Sequence, residues 1–212
     1  MKQIPILLLL GLALSLCNLT NRLKNSGSSN SNSGSTRSSS SSSDGITAET
    51  AQPTAAQTAA LAGGEEIKWT KQGMSWTMPP KWTKTTDDRN NFALRSPGSW
   101  DAANLIVTIS PMSEDFPVAE SLKATYDGAH TRQKNGEVDQ LRYLEIDGVK
   151  GVQFREAQPD KPDDIRRMQW IAYRTYANQV QYVNIILSTD GKDFAKHEDE
   201  IYGVLYSMKL DH

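Results

Sequence analysis

Apolar and polar positions divide the chain into three regimes. Ile4 to Leu16 is an apolar run interrupted only by Pro5, Gly11 and Ser15, and it follows the short positive start Met1-Lys2-Gln3. Asn18 to about Glu65 has almost no large apolar residues. Beyond Glu65 apolar positions return in short runs, and all five tryptophans, Trp69, Trp76, Trp82, Trp100 and Trp170, lie there. Burial of apolar surface must offset the entropy lost on ordering a chain, so only the third regime can fold around a core. The expected organisation is a leader over 1–17, a coil over 18–65 and one domain over 66–212.

Within that domain, alternation predicts strands at Ile67–Thr70 and Met74–Met78, joined through Lys71-Gln72-Gly73 as a hairpin and ended by Pro79-Pro80. Phe92–Leu94 and Leu105–Ile109 read as strands on either side of the turn signal Ser96-Pro97-Gly98-Ser99. A helix is entered through Asp115 with Pro117 in its first turn, and Val118, Leu122, Tyr126 and Ala129 recur on one face of it. Four longer strands follow, at about Asp139–Ile146, Val149–Gln158, Arg166–Tyr176 and Val180–Ser188; their short connections make neighbours antiparallel. Asp190-Gly191 opens a last helix with Phe194, Ile201, Val204, Leu205 and Met208 at the 3.6 period. This is an α+β pattern, a largely antiparallel sheet of about six or seven strands with helices packed on it.

The leader has signal-peptide length, since a membrane-spanning helix needs about 20 apolar residues. Leu14-Ser15-Leu16-Cys17 resembles a bacterial lipobox, in which a diacylglyceryl cysteine becomes the new N-terminus. Leu16 departs from that pattern, which favours a small residue before the cysteine. The competing reading is an ordinary secretory signal cut after a small residue such as Ala13, giving a secreted product. If Cys17 is lipidated, the protein is anchored in the bacterial cell envelope, because two acyl chains hold a protein stably at a membrane. From Ser26 to Ser43 the chain is Ser, Asn and Gly with one Thr and Arg37, and Ile46 to Gly64 turns to Ala, Thr, Gln and Glu around Pro53. Treated as coil, the stretch 18–65 spans about 35–40 Å. The Ala-rich piece Thr54 to Leu61 is too short to be a stable helix by itself.

Composition removes several function classes. Lys and Arg number 23 against 25 Asp and Glu, a net charge of −2 with the signs interspersed, so nothing marks a nucleic-acid surface. Cys17 is the only cysteine, which excludes a disulfide within the chain, and a lone thiol cannot by itself build a four-ligand zinc site. The three histidines, His130, His197 and His212, have no metal-ligand spacing, so no metal or cofactor is expected. Asp160, Asp163 and Asp164 read as a solvated turn, and consecutive Glu198-Asp199-Glu200 point in different directions on a helix.

Four features occur in a telling order: Gly73 to Met78 running into Pro79-Pro80-Lys81-Trp82, the helix near Pro117, Ile146-Asp147-Gly148 leading into Val149-Lys150-Gly151, and the last helix closing on Ser207-Met208-Lys209-Leu210. In that order the region Glu66–His212 resembles the PsbP-like superfamily, which takes in an extrinsic photosystem II subunit, a Ran-binding nuclear import factor and many bacterial exported proteins. The resemblance implies an α/β/α sandwich used for binding or assembly without catalysis. It does not imply photosynthesis or Ran binding.

Three functional readings follow. The first is a non-catalytic module, anchored at a membrane, that binds an envelope protein or small ligand; Trp82 and Trp100, in connecting segments, are its candidate binding surface. The second is a hydrolase-type enzyme, which needs His130 or His197 beside a carboxylate in a pocket. The third is an assembly subunit.

Overall fold

The computed structural model describes residues 47–212. The leader, Cys17 and the expected coil up to residue 46 lie outside the described residues. The elements in chain order are β1 (Glu49–Thr50), α1 (Ala55–Ala60), β2 (Glu65–Trp69), β3 (Met74–Met78), β4 (Thr83–Asp87), β5 (Asn91–Arg95), β6 (Asn104–Pro111), α2 (Val118–Lys134), β7 (Val138–Ile146), β8 (Val149–Glu156), β9 (Ile165–Tyr176), β10 (Gln179–Asp190), α3 (Phe194–Tyr206) and β11 (Lys209–Leu210). An eight-stranded sheet runs β1-β7-β8-β9-β10-β6-β5-β4, and a three-stranded sheet runs β11-β3-β2. All pairs are antiparallel except β1 on β7.

Strand alternation sends side chains to two different layers. Met168, Trp170 and Ala172 of β9 and Val183, Ile185 and Leu187 of β10 face one side, where they meet Trp69, Met74, Trp76 and Met78 of the small sheet and Phe194, Ile201, Val204 and Leu205 of α3. Ile171 and Tyr173 of β9 face the other, beneath Leu122 and Ala129 of α2. Each large side chain buried this way contributes about 1.5–3 kcal/mol. Trp76 meets Phe92 edge to face, with ring centroids 4.9 Å apart. The result is the expected layered sandwich, with α2 lying across β7, β8 and β9 on one side and α3 with the small sheet on the other.

Two features depart from the sequence reading. Thr83–Asp87 has no apolar alternation and was expected as connection, yet it pairs with β5 as the outer strand of the large sheet. A polar edge strand with Lys84 on it suits a position where unpaired backbone would otherwise recruit other chains. The second departure is larger: the coil expected up to Glu65 gives way to structure at Glu49. β1 pairs with Leu144 and Glu145, and the Ala51 N–H donates to the Glu145 carbonyl at 2.8 Å. Thr54 and Gln57 cap α1 reciprocally, at 3.2 and 2.9 Å.

A six-residue helix is marginal in water, so docking must hold this strap. Arg142 supplies one fixing point, donating to the Glu49 carboxylate at 2.7 Å and to the Tyr206 hydroxyl at 3.0 Å. Gly203 supplies the other: a Cβ there would lie 2.8 Å from the Gln57 carbonyl oxygen and 3.1 Å from Leu61 Cγ. The glycine is a notch in α3 into which α1 fits. Gly203→Val should therefore lift the strap, with a loss of about 1–3 kcal/mol typical of overpacking. Hydrogen exchange should show residues 49–62 losing protection while β9 and β10 keep theirs.

Candidate binding surface

The two tryptophans expected at a binding surface part company in the structure. Trp82 is only 3% exposed, within the large core, and is no surface residue. The cause is the turn Pro79-Pro80-Lys81-Trp82, in which Lys81 has φ 69° and the Trp82 N–H donates to the Pro79 carbonyl at 3.3 Å, so the chain folds back and turns the indole inward. Trp100 is 89% exposed.

Trp100 rides on the connection from β5 to β6, and that connection is built tightly. The Ser96 N–H donates to the Ala103 carbonyl at 2.9 Å, and the Ala103 N–H donates to Ser96 Oγ at 2.8 Å. Arg95 Nη2 donates to the Ser99 carbonyl at 3.3 Å. Ala102 and Ala103 are buried, so the loop is clamped at its base. α3 pins its far side: Lys196 is paired with the Asp101 carboxylate, and His197 Nε2 donates to the Asp101 carbonyl at 2.8 Å. The Lys196 ammonium holds the Asp101 carboxyl below the usual carboxylate range. An exposed indole on a fixed loop loses little conformational freedom when it enters a partner's pocket, which is what favours aromatic residues at interfaces.

Two further large apolar side chains are exposed on the large sheet. Ile106 of β6 is 41% exposed and sits in one cross-strand row with Ile186 of β10 and Ala93 of β5. This row lies on the α2 side of the sheet, beyond the strands that α2 crosses. Ile165, 51% exposed, begins β9 at the same end of the sheet as the Trp100 loop. Among the described residues these three are the exposed large hydrophobic side chains. Nothing in the periodicity separates Ile106 from a buried strand position; only knowing where α2 stops does.

The histidines are placed differently from what an enzyme reading needs. His130 is exposed on α2. His197 is buried and does meet a carboxylate, Glu200 Oε2, at 2.9 Å from Nδ1. Its other nitrogen is occupied by the Asp101 carbonyl, so it has no ring nitrogen left to serve as base for a substrate or hydroxyl. His197 fixes the loop. Asp160, Asp163 and Asp164 lie in the exposed turn before β9, and no group of carboxylates and histidines suited to a metal ion occurs among the described residues.

Comparison with known proteins supports the fold. No family model matches the sequence, and no curated protein does. Among solved structures, LpqN of Mycobacterium tuberculosis, involved in cell envelope biogenesis, is 10% identical; the match covers 71% of this chain and 86% of that one, with a TM-score of 0.50. A cyanobacterial PsbP from Synechocystis is 13% identical over 69% of this chain and 92% of that one, with a TM-score of 0.46. A protein of Bacteroides thetaiotaomicron is 12% identical over 70% of this chain, with a TM-score of 0.43; the match spans 49% of its length, about half. At such identities a likeness concerns fold alone: the chain shares its fold with LpqN.

The contrast between the two tryptophans is measurable. In urea unfolding, Trp82→Ala should cost about 3–5 kcal/mol as a large-to-small core change, whereas Trp100→Ala should stay within about 0.5 kcal/mol of the parent. The Asp101 pin has a pH signature as well. A carboxyl held below its ordinary value contributes fully above that value and is lost as pH falls through the lowered one. The Trp100 loop should therefore stay fixed down to about pH 4 and loosen only in stronger acid, as read by exchange of the amides of residues 98–102.

Proposed function

We propose that the chain is an exported bacterial protein held at a membrane by a lipid on Cys17, and that its domain is a non-catalytic binding or assembly module of the cell envelope. The observation that carries the binding reading is Trp100, fully presented to solvent on a loop braced from both sides. A large indole left in water forgoes the stabilisation its burial would give, which Trp82 obtains by being buried. The leader and Cys17 support export and anchoring. Among the described residues no helix is long and apolar enough to cross a membrane.

Metabolic labelling with palmitate should mark the parent protein and leave Cys17→Ser unlabelled, and globomycin should accumulate the unprocessed form. Equal labelling of both proteins would remove the anchor. For the surface, a photo-crosslinker placed at position 100 should trap a partner in intact cells. A crosslinker at the exposed α2 position Lys123 should not, and equal trapping from both positions would count against the Trp100 loop.

A further inference from the structure

The small sheet presents a second built surface, independent of the Trp100 loop. On its face turned from the core, Lys209 of β11, Ser75 of β3 and Lys68 of β2 occupy one cross-strand row. Just before β3 the chain passes through Gly73 at φ 53°, and Tyr176 and Asp211 stand over that glycine. A Cβ at residue 73 would lie 2.5 Å from the Tyr176 ring and 2.6 Å from Asp211 Oδ2, so any side chain there would fill the space. These residues, with Thr70 and Met74, line a cavity of about 250 Å³.

Behind the wall made by Gly73, Tyr176 and Asp211 lies Arg174, 4% exposed. Its Nε donates to Gln181 Oε1 at 3.1 Å, its Nη1 to the Asp211 carbonyl at 3.0 Å and to the Gly73 carbonyl at 3.5 Å, and its Nη2 to the Gln72 carbonyl. The Tyr176 ring stacks 4.7 Å from the guanidinium. All of these partners are neutral, and burial pushes the Arg174 pKa down to about 10. Its hydrogen bonds are all to dipoles, and the Asp211 carboxylate acts on it through space, so the buried cation adds positive potential to the adjacent cleft that this one carboxylate offsets.

The rim adds to that field. The Lys68 and Lys209 ammonium groups now face Glu66 and Asp147, each at 3.1 Å, in surface pairs of the kind that exchange partners at little cost. Thr70, Ser75 and Tyr176 bring hydroxyl donors to the same cavity. The Asp211 carboxylate, exposed and standing over Gly73, is the only acidic side chain lining the cavity among the described residues.

We propose that this cavity binds a phosphate-type oxyanion through Lys68, Lys209 and the hydroxyls of Thr70, Ser75 and Tyr176, with the Asp211 carboxylate as its built-in competitor. Titration of the full chain with inorganic phosphate should give saturable amide shifts at Gly73, Ser75 and Asp211. Lys68→Ala/Lys209→Ala should weaken binding about tenfold or more. Asp211→Asn, which removes the competing charge, should strengthen it about threefold to tenfold. All three positions are on the surface, and unchanged urea midpoints verify that the variants fold. Absence of saturable shifts in both the parent and Asp211→Asn would overturn the proposal, as would equal affinity in the double lysine variant.

Vesicles identify the source of the phosphate. Stronger binding of the parent than of the double lysine variant to phosphatidylglycerol vesicles, with no such difference on phosphatidylcholine, assigns the site to a lipid headgroup. Equal vesicle binding by the two proteins, with free phosphate still bound, assigns it to a soluble phosphate compound.

Discussion

The constraint on which the rest of this structure depends is the burial of one aromatic layer between the large sheet and the elements laid over it. Trp69 and Trp76 come from the small sheet, Phe92 from β5 and Trp170 from β9, and all are shielded from solvent in the same cluster. A three-stranded sheet with a two-residue outer strand cannot support itself in water, so β2, β3 and β11 exist because this layer holds them. α3 joins the same cluster through Phe194, Ile201, Val204 and Leu205. The strap 49–62 then depends on α3, because its helix fits the Gly203 notch and has no core of its own. Stability passes outward in that order, from the tryptophan layer to α3 and from α3 to the strap.

The same order explains what could be read from the sequence. β9 and β10 were legible because alternation over twelve residues places Trp170 and Ile171, or Val183 and Asn184, on opposite faces and leaves one register. α2 and α3 announced themselves through Pro117, Asp190-Gly191 and helical spacing. Thr83–Asp87 was illegible because an edge strand facing water carries no apolar signal. Ala55–Ala60 was illegible because its helicity is conferred by contact with residues far along the chain. One clue stood in the sequence: a glycine at position 203, inside an otherwise apolar helix face, is a poor helix former and marks a close approach by something else.

The candidate binding surface was half legible for a related reason. Trp82 and Trp100 both lie between strands and carry the same side chain, so composition treats them alike. What separates them is backbone geometry: a turn with positive φ at Lys81 folds one indole back into the core, while Ser96, Lys196 and His197 hold the other outward. Arg174 shows the converse case. In the sequence it is one polar residue near the end of a strand, and only the turn at Gly73 and the closing segment Lys209–Asp211 make it a buried cation behind a cleft. Sites of this kind are assembled from segments about a hundred residues apart, such as Gln72 and Arg174, and no local pattern encodes them. Both surfaces lie at the periphery, where loops and a sheet edge can carry function without disturbing the aromatic layer.

Differential scanning calorimetry of the full chain tests the dependence on that layer most directly. If the two sheets, α3 and the strap share one core, heating gives a single transition whose calorimetric and van't Hoff enthalpies agree. Two separable transitions, with the small sheet melting apart from the large one, would contradict it.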